Sequence, residues 1–256
     1  SASIDHADTI TEQDIVITIS QAGYIKQVPL SVYKEQRRGG VGVQGAKTKE
    51  EDVIKDLFIT RNKSTLLFFT NKGKVHWLPA WEIPEGSRYS KGKAMVNMLE
   101  LKDGEKVTTA LPILSYDGTR YVVMVTKKGT IKKTALTNFS NPRRGGIVAI
   151  TLEEGDELIK TILTSGHDAL LLATKQGSAA KFSENDVREM GRSAVGVVGI
   201  RLEEKDEVVA LQKVAPNTTI LTVTEKGFGK RTPEQDYRLI HRGGKGVTNI
   251  QMNERN

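Results

Sequence analysis

Tyr121-Val122-Val123-Met124-Val125-Thr126-Lys127-Lys128-Gly129 is a short aliphatic run that stops at a threonine, two lysines and a glycine. β-Branched and aliphatic residues bounded by turn residues read as a strand. The glycine supplies the positive φ that a tight hairpin needs. The same phrase occurs four more times: residues 15–19 run into Ser20-Gln21-Ala22-Gly23, 66–69 into Thr70-Asn71-Lys72-Gly73, 170–173 into Thr174-Lys175-Gln176-Gly177, and 220–223 into Thr224-Glu225-Lys226-Gly227. A second strand follows each glycine, Tyr24-Ile25-Lys26-Gln27-Val28 in the first copy.

A second motif trails each hairpin. It carries Gly42, Gly92, Gly146, Gly196 and Gly246, which lie 19, 19, 17, 19 and 19 residues beyond the hairpin glycines. Another strand-like run follows, such as 198–202, and in three copies it enters an acidic turn (101–105, 152–157, 202–207). A further apolar run, Val208-Val209-Ala210-Leu211 for example, leads to the next hairpin. Each unit therefore holds about four short strands and no long helix. The hairpin glycines recur at intervals of 50, 56, 48 and 50 residues, the period of a propeller blade. The expected fold is all-β: a propeller-like ring of repeated four-stranded antiparallel blades over residues 14–256, after a polar tail at 1–13, with five repeats visible. A linear β array or two sandwiches would share the period and stays open at this level.

Charge follows the phase of the repeat. The five segments 20–42, 70–92, 126–146, 174–196 and 224–246 hold 24 Lys and Arg against 9 Asp and Glu, a net of +15, while the whole chain is +7. Everything outside them sums to −8. In a ring, one phase of every repeat occupies one radial position, so the basic segments merge into a band. Such a band suits a phosphate backbone, where cations displace condensed counterions and affinity falls with salt. Arginine binds phosphate in bidentate fashion, and glycines let backbone N–H groups approach it. No recognition helix, zinc finger or RNA-stacking signature appears, so shape and backbone recognition of duplex DNA is expected, with little sequence preference. Chance and solubility are the competing explanation of the pattern.

Composition removes several classes. The absence of cysteine excludes disulfides, thiolate metal sites and a cysteine nucleophile, and fits a reducing cytoplasm. No run of eighteen apolar residues spans a membrane, and Ser1–Asp8 has no signal-peptide character. His6, His76, His167 and His241 lack metal-ligand spacing, so no metal is expected. Trp77 and Trp81 read as blade-to-blade packing, with base stacking as the alternative. The acidic turns, Glu153-Glu154 and Glu203-Glu204 among them, read as solvated turns rather than paired catalytic carboxylates, because they recur at a turn phase. There is no P-loop.

Gln36-Arg37-Arg38-Gly39-Gly40-Val41-Gly42 resembles the box of the gyrase A C-terminal domain family, Gln-Arg-Arg-Gly-Gly-Lys-Gly. Arg143-Arg144-Gly145-Gly146 and Arg242-Gly243-Gly244-Lys245-Gly246 echo it at the same phase. The resemblance extends from about Asp14 to Asn256. It implies a β-pinwheel, a propeller-like ring with strand exchange between blades, whose rim bends DNA around itself. It further implies an A2B2 assembly with gyrase B and the rest of gyrase A, in which ATP-dependent strand passage introduces negative supercoils. The family's catalytic tyrosine lies in a domain outside this sequence, and ATP and Mg2+ act elsewhere in the holoenzyme, so the domain itself carries no cofactor. The resemblance places the chain in the cytoplasm, at the nucleoid, the isolated domain being monomeric.

Two positions depart from the family. Val41 stands for the box lysine, and five repeats are visible where gyrases commonly have six. The related topoisomerase IV domain, a DNA tether with more degenerate repeats, is therefore the alternative. A propeller used as a protein-interaction scaffold, or a propeller enzyme such as a glycosidase, ranks below both. The candidate DNA contacts are Gln36, Arg37, Arg38, Gly39, Gly40 and Gly42 of the first box. Lys91, Lys93, Lys132, Lys133, Arg143, Arg144, Lys181, Arg192, Lys230, Arg231, Arg242, Gly243, Gly244 and Lys245 complete the set. The boxes are expected to be pliable loops that bridge blades and order on DNA.

Overall fold

The computed structural model describes residues 9–38, 52–87 and 89–253, with the backbone alone for 36–38. The first repeat contributes β1 (Asp14–Ser20), β2 (Tyr24–Pro29), the helix α1 (Leu30–Arg38) and β3 (Ile54–Arg61). The second has β4 (Thr65–Thr70), β5 (Lys74–Pro79), β6 (Lys93–Ala94) and β7 (Val107–Ile113); the third β8 (Tyr121–Thr126), β9 (Thr130–Ala135), β10 (Ile147–Val148) and β11 (Leu158–Thr164). The fourth has β12 (Ala169–Thr174), β13 (Ser178–Ser183), β14 (Val197–Val198) and β15 (Val208–Val214), and the fifth β16 (Thr219–Val223), β17 (Gly229–Pro233) and β18 (Val247–Thr248).

Four sheets have four strands each, in the orders β3-β1-β2-β6, β10-β5-β4-β7, β11-β8-β9-β14 and β15-β12-β13-β18. In every one the hairpin and the long third strand belong to one repeat, and the two-residue fourth strand is donated by the next. Val247 pairs with Ala179 and Thr248 with Ser178, as Val197 pairs with Ile131 and Val198 with Thr130. The fifth hairpin, β16-β17, forms a two-stranded sheet among the described residues. The repeated four-stranded blade is thus as read from the sequence, and its borrowed last strand is the strand exchange that the family resemblance implied. The short strand sits just beyond the second-motif glycine, which explains the near-constant spacing of the two glycines.

The central hairpin strands are buried on both faces, so their apolar runs are continuous rather than alternating. In β4, Leu66 and Phe68 pack toward β1 with Ile15, Ile17 and Ile19, while Leu67 and Phe69 pack toward β8 with Val122 and Met124. Val123, Val125, Leu170 and Leu172 join the third and fourth sheets. The last interface is smaller, with Leu171, Ala179, Val214 and Tyr237. β16 is correspondingly half-exposed along its length. At the inner edge, residues of β3, β7, β11 and β15 line one cavity of about 290 Å3, which marks the axis of the ring. The long third strands are therefore innermost, and the hairpin's second strand with its borrowed partner is outermost.

Two features differ from the sequence reading. The first box does not begin in a loop: α1 carries the backbone of Gln36, Arg37 and Arg38, while Gly39, Gly40, Val41 and Gly42 lie outside the described residues. Two of the other box glycines, Gly146 and Gly246, answer to close packing, whereas Gly244 has no atom within 4 Å of an added Cβ. Gly246 has φ 77°, and a Cβ there would stand 2.5 Å from the Ala179 carbonyl oxygen, on the strand that its own repeat completes. On the other side of the same crossing, a Cβ on Gly177 would strike the Ile250 carbonyl. The Gly177 carbonyl accepts the N–H groups of Asn249 at 2.7 Å and Ile250 at 3.2 Å. Gly227, with no atom within 4 Å of an added Cβ, is the built-in control. Gly227→Ala should cost only the left-handed backbone term, about 1–2 kcal/mol. Gly246→Ala should cost about 3 kcal/mol or more, because a buried carbonyl must also move. Chemical denaturation of the two variants checks the difference.

Candidate nucleic-acid interface

The basic phase of the repeat lies on the outermost edge, formed by β2, β5, β9, β13 and β17 and the loops that follow them. Lys91, Lys93, Arg143, Arg144, Lys230, Arg231, Gly244 and Lys245 are exposed there, and Arg192, Arg242 and Gly243 are half-buried. Arg188 and Arg238, four residues before Arg192 and Arg242, are also exposed and were not among the sequence candidates. Their regular spacing from the box arginine was the signal that could have found them.

Three candidates are not surface groups. Lys132, Lys133 and Lys181 are 0%, 7% and 6% exposed. Consecutive strand residues point to opposite faces, and in this outer strand both faces are covered. Lys132 Nζ donates to the carbonyls of Ala149 (2.7 Å), Gly191 (2.9 Å), Arg192 (2.6 Å) and Ala194 (3.1 Å). Burial, and secondarily the charge of Arg192, push its ammonium down to about 7. Lys133 Nζ donates to the Glu184 carbonyl at 3.2 Å and lies 3.8 Å from Glu184 Oε1. Lys181 Nζ donates to the Glu234 carbonyl at 3.1 Å and carboxylate at 2.7 Å. A buried ammonium already saturated by internal acceptors is no phosphate ligand, so these three leave the set of surface contacts. Glu184 and Glu234 lie in the same basic segments, so those two pairs cancel within the count. The net charge of the phase falls only by that of Lys132.

The pattern behind these lysines escaped the sequence reading. The fourth residue after each hairpin glycine is Gln27, Trp77, Lys133, Lys181 or Arg231, all hydrogen-bond donors. The first four reach the turn that follows the second strand of the next repeat. Gln27 Nε2 contacts the carbonyls of Ala80 and Ile83, and Trp77 Nε1 donates to Phe139 at 3.0 Å. Lys133 and Lys181 reach the 3-10 turns Glu184–Asp186 and Glu234–Asp236. Chemically different side chains thus make one latch between blades, and Trp77 packs between blades as expected. The third position differs: Lys26 Nζ donates to Ser87 and Ser90 at 2.8 Å each. His76, 3% exposed, takes that place beneath Gly146, with Nε2 3.4 Å from Glu105 Oε1.

The box arginines hold one loop to the previous one. Arg192 Nη1 donates to the Val148 carbonyl at 3.4 Å and Arg242 Nη1 to Val198 at 3.0 Å, with Arg242 Nε on the Asp186 carbonyl at 2.8 Å. Gly243 N–H donates to Gly199, and Arg201 N–H to Gly244. Arg144 pairs with Glu100 at 2.5 Å, although its side chain is 92% exposed. Lys245 lies 3.2 Å from Glu203, and Lys230 Nζ donates to Asn249 at 2.8 Å. Exposed pairs like these are worth about 0–1 kcal/mol and yield to a stronger anion. The acidic turns are caps: Asp156 accepts the N–H of Lys128 and of Glu157, and Asp206 those of Gln176 and Glu207. Among the described residues no group of three His, Asp or Glu could hold a metal, and no helix is long and apolar enough to cross a membrane.

Removing one partner of a buried pair leaves the other charge unpaired, at about 3–5 kcal/mol. Lys133→Met should destabilise the protein by about that amount, whereas Lys93→Ala should change it by less than about 0.5 kcal/mol; thermal and denaturant unfolding compare the two. 15N-resolved lysine spectra should show Lys132 titrating near 7 rather than 10.5.

A ring of repeated four-stranded blades, with strands exchanged between neighbours and cations sorted to the outer edge, defines a β-propeller-like repeat domain. The model of the DNA gyrase C-terminal domain, beta-propeller, matches residues 14–61, 64–113, 120–165, 168–215 and 218–255, one segment per repeat. The gyrase A protein of Salmonella typhimurium is 44% identical over 196 residues, 77% of this chain and 22% of the relative. That of Halalkalibacterium halodurans is 47% identical over 189 residues, 74% and 23%. A crystal structure of the C-terminal domain of DNA topoisomerase IV superposes with a TM-score of 0.78 at 27% identity, over 94% of this chain and 73% of that one. A DNA gyrase A C-terminal domain gives 0.74 at 24%, over 95% and 80%, a likeness of fold. The chain belongs to the DNA gyrase A C-terminal domain family, and spans under a quarter of the length of these gyrase A relatives.

Proposed function

We propose that this domain binds duplex DNA along its outer edge without reading sequence, and bends the duplex around that edge. The observation that carries the reading is the sorting of charge: +15 on one phase of the repeat against −8 elsewhere, on a fold that turns this phase outward in every blade. Exposed Lys91, Lys93, Arg143, Arg144, Lys230, Arg231 and Lys245 supply phosphate contacts, and half-buried Arg192 and Arg242 hold the loops that carry them. Gln36, Arg37 and Arg38, with Gly39, Gly40 and Gly42, complete the path on the strength of the box resemblance. Smooth bending of a site of 20–30 base pairs costs of order 1–6 kcal/mol, so several contacts must act together. As part of gyrase A in an A2B2 enzyme, the domain would present the wrapped duplex for ATP-dependent strand passage that introduces negative supercoils. In this reading strand cleavage, ATP and Mg2+ belong to the rest of the enzyme, and the isolated domain is a cytoplasmic monomer.

A second reading, a topoisomerase IV-type tether that holds DNA without wrapping it, draws support from the TM-score of 0.78 to such a domain. End-to-end energy transfer on a labelled duplex of about 150 base pairs, one persistence length, separates the two. Wrapping predicts ends drawn together at low salt and released at high salt. Binding without end approach selects the tether, and no binding at any salt removes both. Arg37→Ala with Arg38→Ala should weaken bending more than binding; equal losses would contradict a bending role for the first box.

A further inference from the structure

Lys132 is the most completely enclosed cation of the described residues: its side chain is wholly buried, and its ammonium faces four backbone carbonyls. Three of them, Gly191, Arg192 and Ala194, belong to the box loop of the following repeat, and the fourth, Ala149, follows the exchanged strand of its own. An ammonium has only three protons to share among these oxygens, so the loop is gathered around a single charge. Around the rim the filling of this position varies. Lys26 grips the Ser87 and Ser90 carbonyls from a half-exposed site. Where the box arrives two residues earlier, at Gly146, the ring of His76 fills the space instead, as close as 2.7 Å to an added Gly146 Cβ. Ala180 occupies the same phase in the fourth repeat, and there Arg242 anchors its loop to Asp186 and Val198 from outside. Among the described residues, Lys132 is thus the one wholly buried cation that donates to a box loop.

We propose that Lys132 is a positioning residue for DNA bending. It fixes the Gly191–Ala194 loop, and with it Arg192 and the neighbouring edge, at the radius the duplex must follow, without touching DNA itself. The inference rests on the bending function proposed above. A loop free to give would still offer its cations to phosphate but would not enforce curvature. Loss of the clamp should therefore weaken bending while the salt slope of binding stays unchanged, whereas loss of a phosphate ligand lowers that slope.

The test compares the wild-type chain with Lys132→Met, which keeps the aliphatic stem, and Lys132→Arg, which restores donors. The readouts are end-to-end energy transfer on the 150-base-pair duplex at saturating protein, the salt slope of binding, and amide exchange of residues 190–196. Lys132→Met should lose at least half of the end approach while affinity falls less than about threefold and the salt slope stays unchanged; exchange at 191–194 should accelerate at least tenfold, and Lys132→Arg should recover part of both. If Lys132→Met does not fold, Lys26→Met carries the same expectation for residues 87–91, with a clamp whose removal the half-exposed site tolerates. A variant that bends as the wild type does overturns the proposal. So does a salt slope lowered by about one, which would make Lys132 a direct phosphate ligand. A wild-type chain that fails to bring the ends together defeats the bending function itself, an outcome distinct from a wild type that bends and a variant that matches it.

Discussion

The close backbone crossing at the outer edge is the constraint on which the rest of this molecule depends. Two residues of each repeat after the first cross onto the hairpin of the one before, and carbonyls pass where Gly177 and Gly246 lack a Cβ. Because the crossing recurs with each repeat, the glycines must recur at nearly fixed spacing. The crossing also decides where the box falls, since the box is the segment that enters it. Loop composition that looks designed for a ligand is therefore first a solution to a packing problem. The cations beside those glycines are carried to the outermost edge as a consequence.

The same geometry explains why basic residues serve two purposes here. A strand at the edge of a blade, covered by a borrowed strand and a neighbouring turn, has little room for long side chains unless they bury their stems and find acceptors. Carbonyls left over at the 3-10 turns and box loops are such acceptors. Lys133, Lys181, Gln27 and Trp77 satisfy them with different chemistry at one position. A hydrogen-bond donor, rather than a charge, is what that position selects.

Architecture was legible in the sequence because repetition multiplies weak signals. No single run such as Leu170–Ala173 distinguishes a buried strand from a buried helical turn, but five of them in step with glycines do. The ownership of the fourth strand came only from the family resemblance and not from the residues themselves, since Val247-Thr248 looks the same whether it completes its own blade or another. Among the candidate contacts, one-dimensional charge gave the edge correctly but not the depth of individual residues. Lys132 and Lys133 adjoin in a basic run with the same appearance as Lys230 and Arg231; only the neighbouring blade, absent from local sequence, buries one pair and leaves the other exposed. The helix at Gln36–Arg38 was missed because its first box shares residues with the end of α1, where glycines dominate the motif.

An array in which each unit borrows from its successor has a direction, like a polymer with distinct head and tail. A unit cut out along its sequence boundaries would carry two residues that belong to its predecessor and lack two that its own sheet needs. Gain or loss of a whole period, by contrast, leaves all joints but the new one unchanged, and the new joint has the same backbone crossing. Families built this way are free to vary in circumference by duplication or deletion while each joint keeps its geometry. The curvature offered to a ligand then becomes a property that evolves in whole steps of one blade.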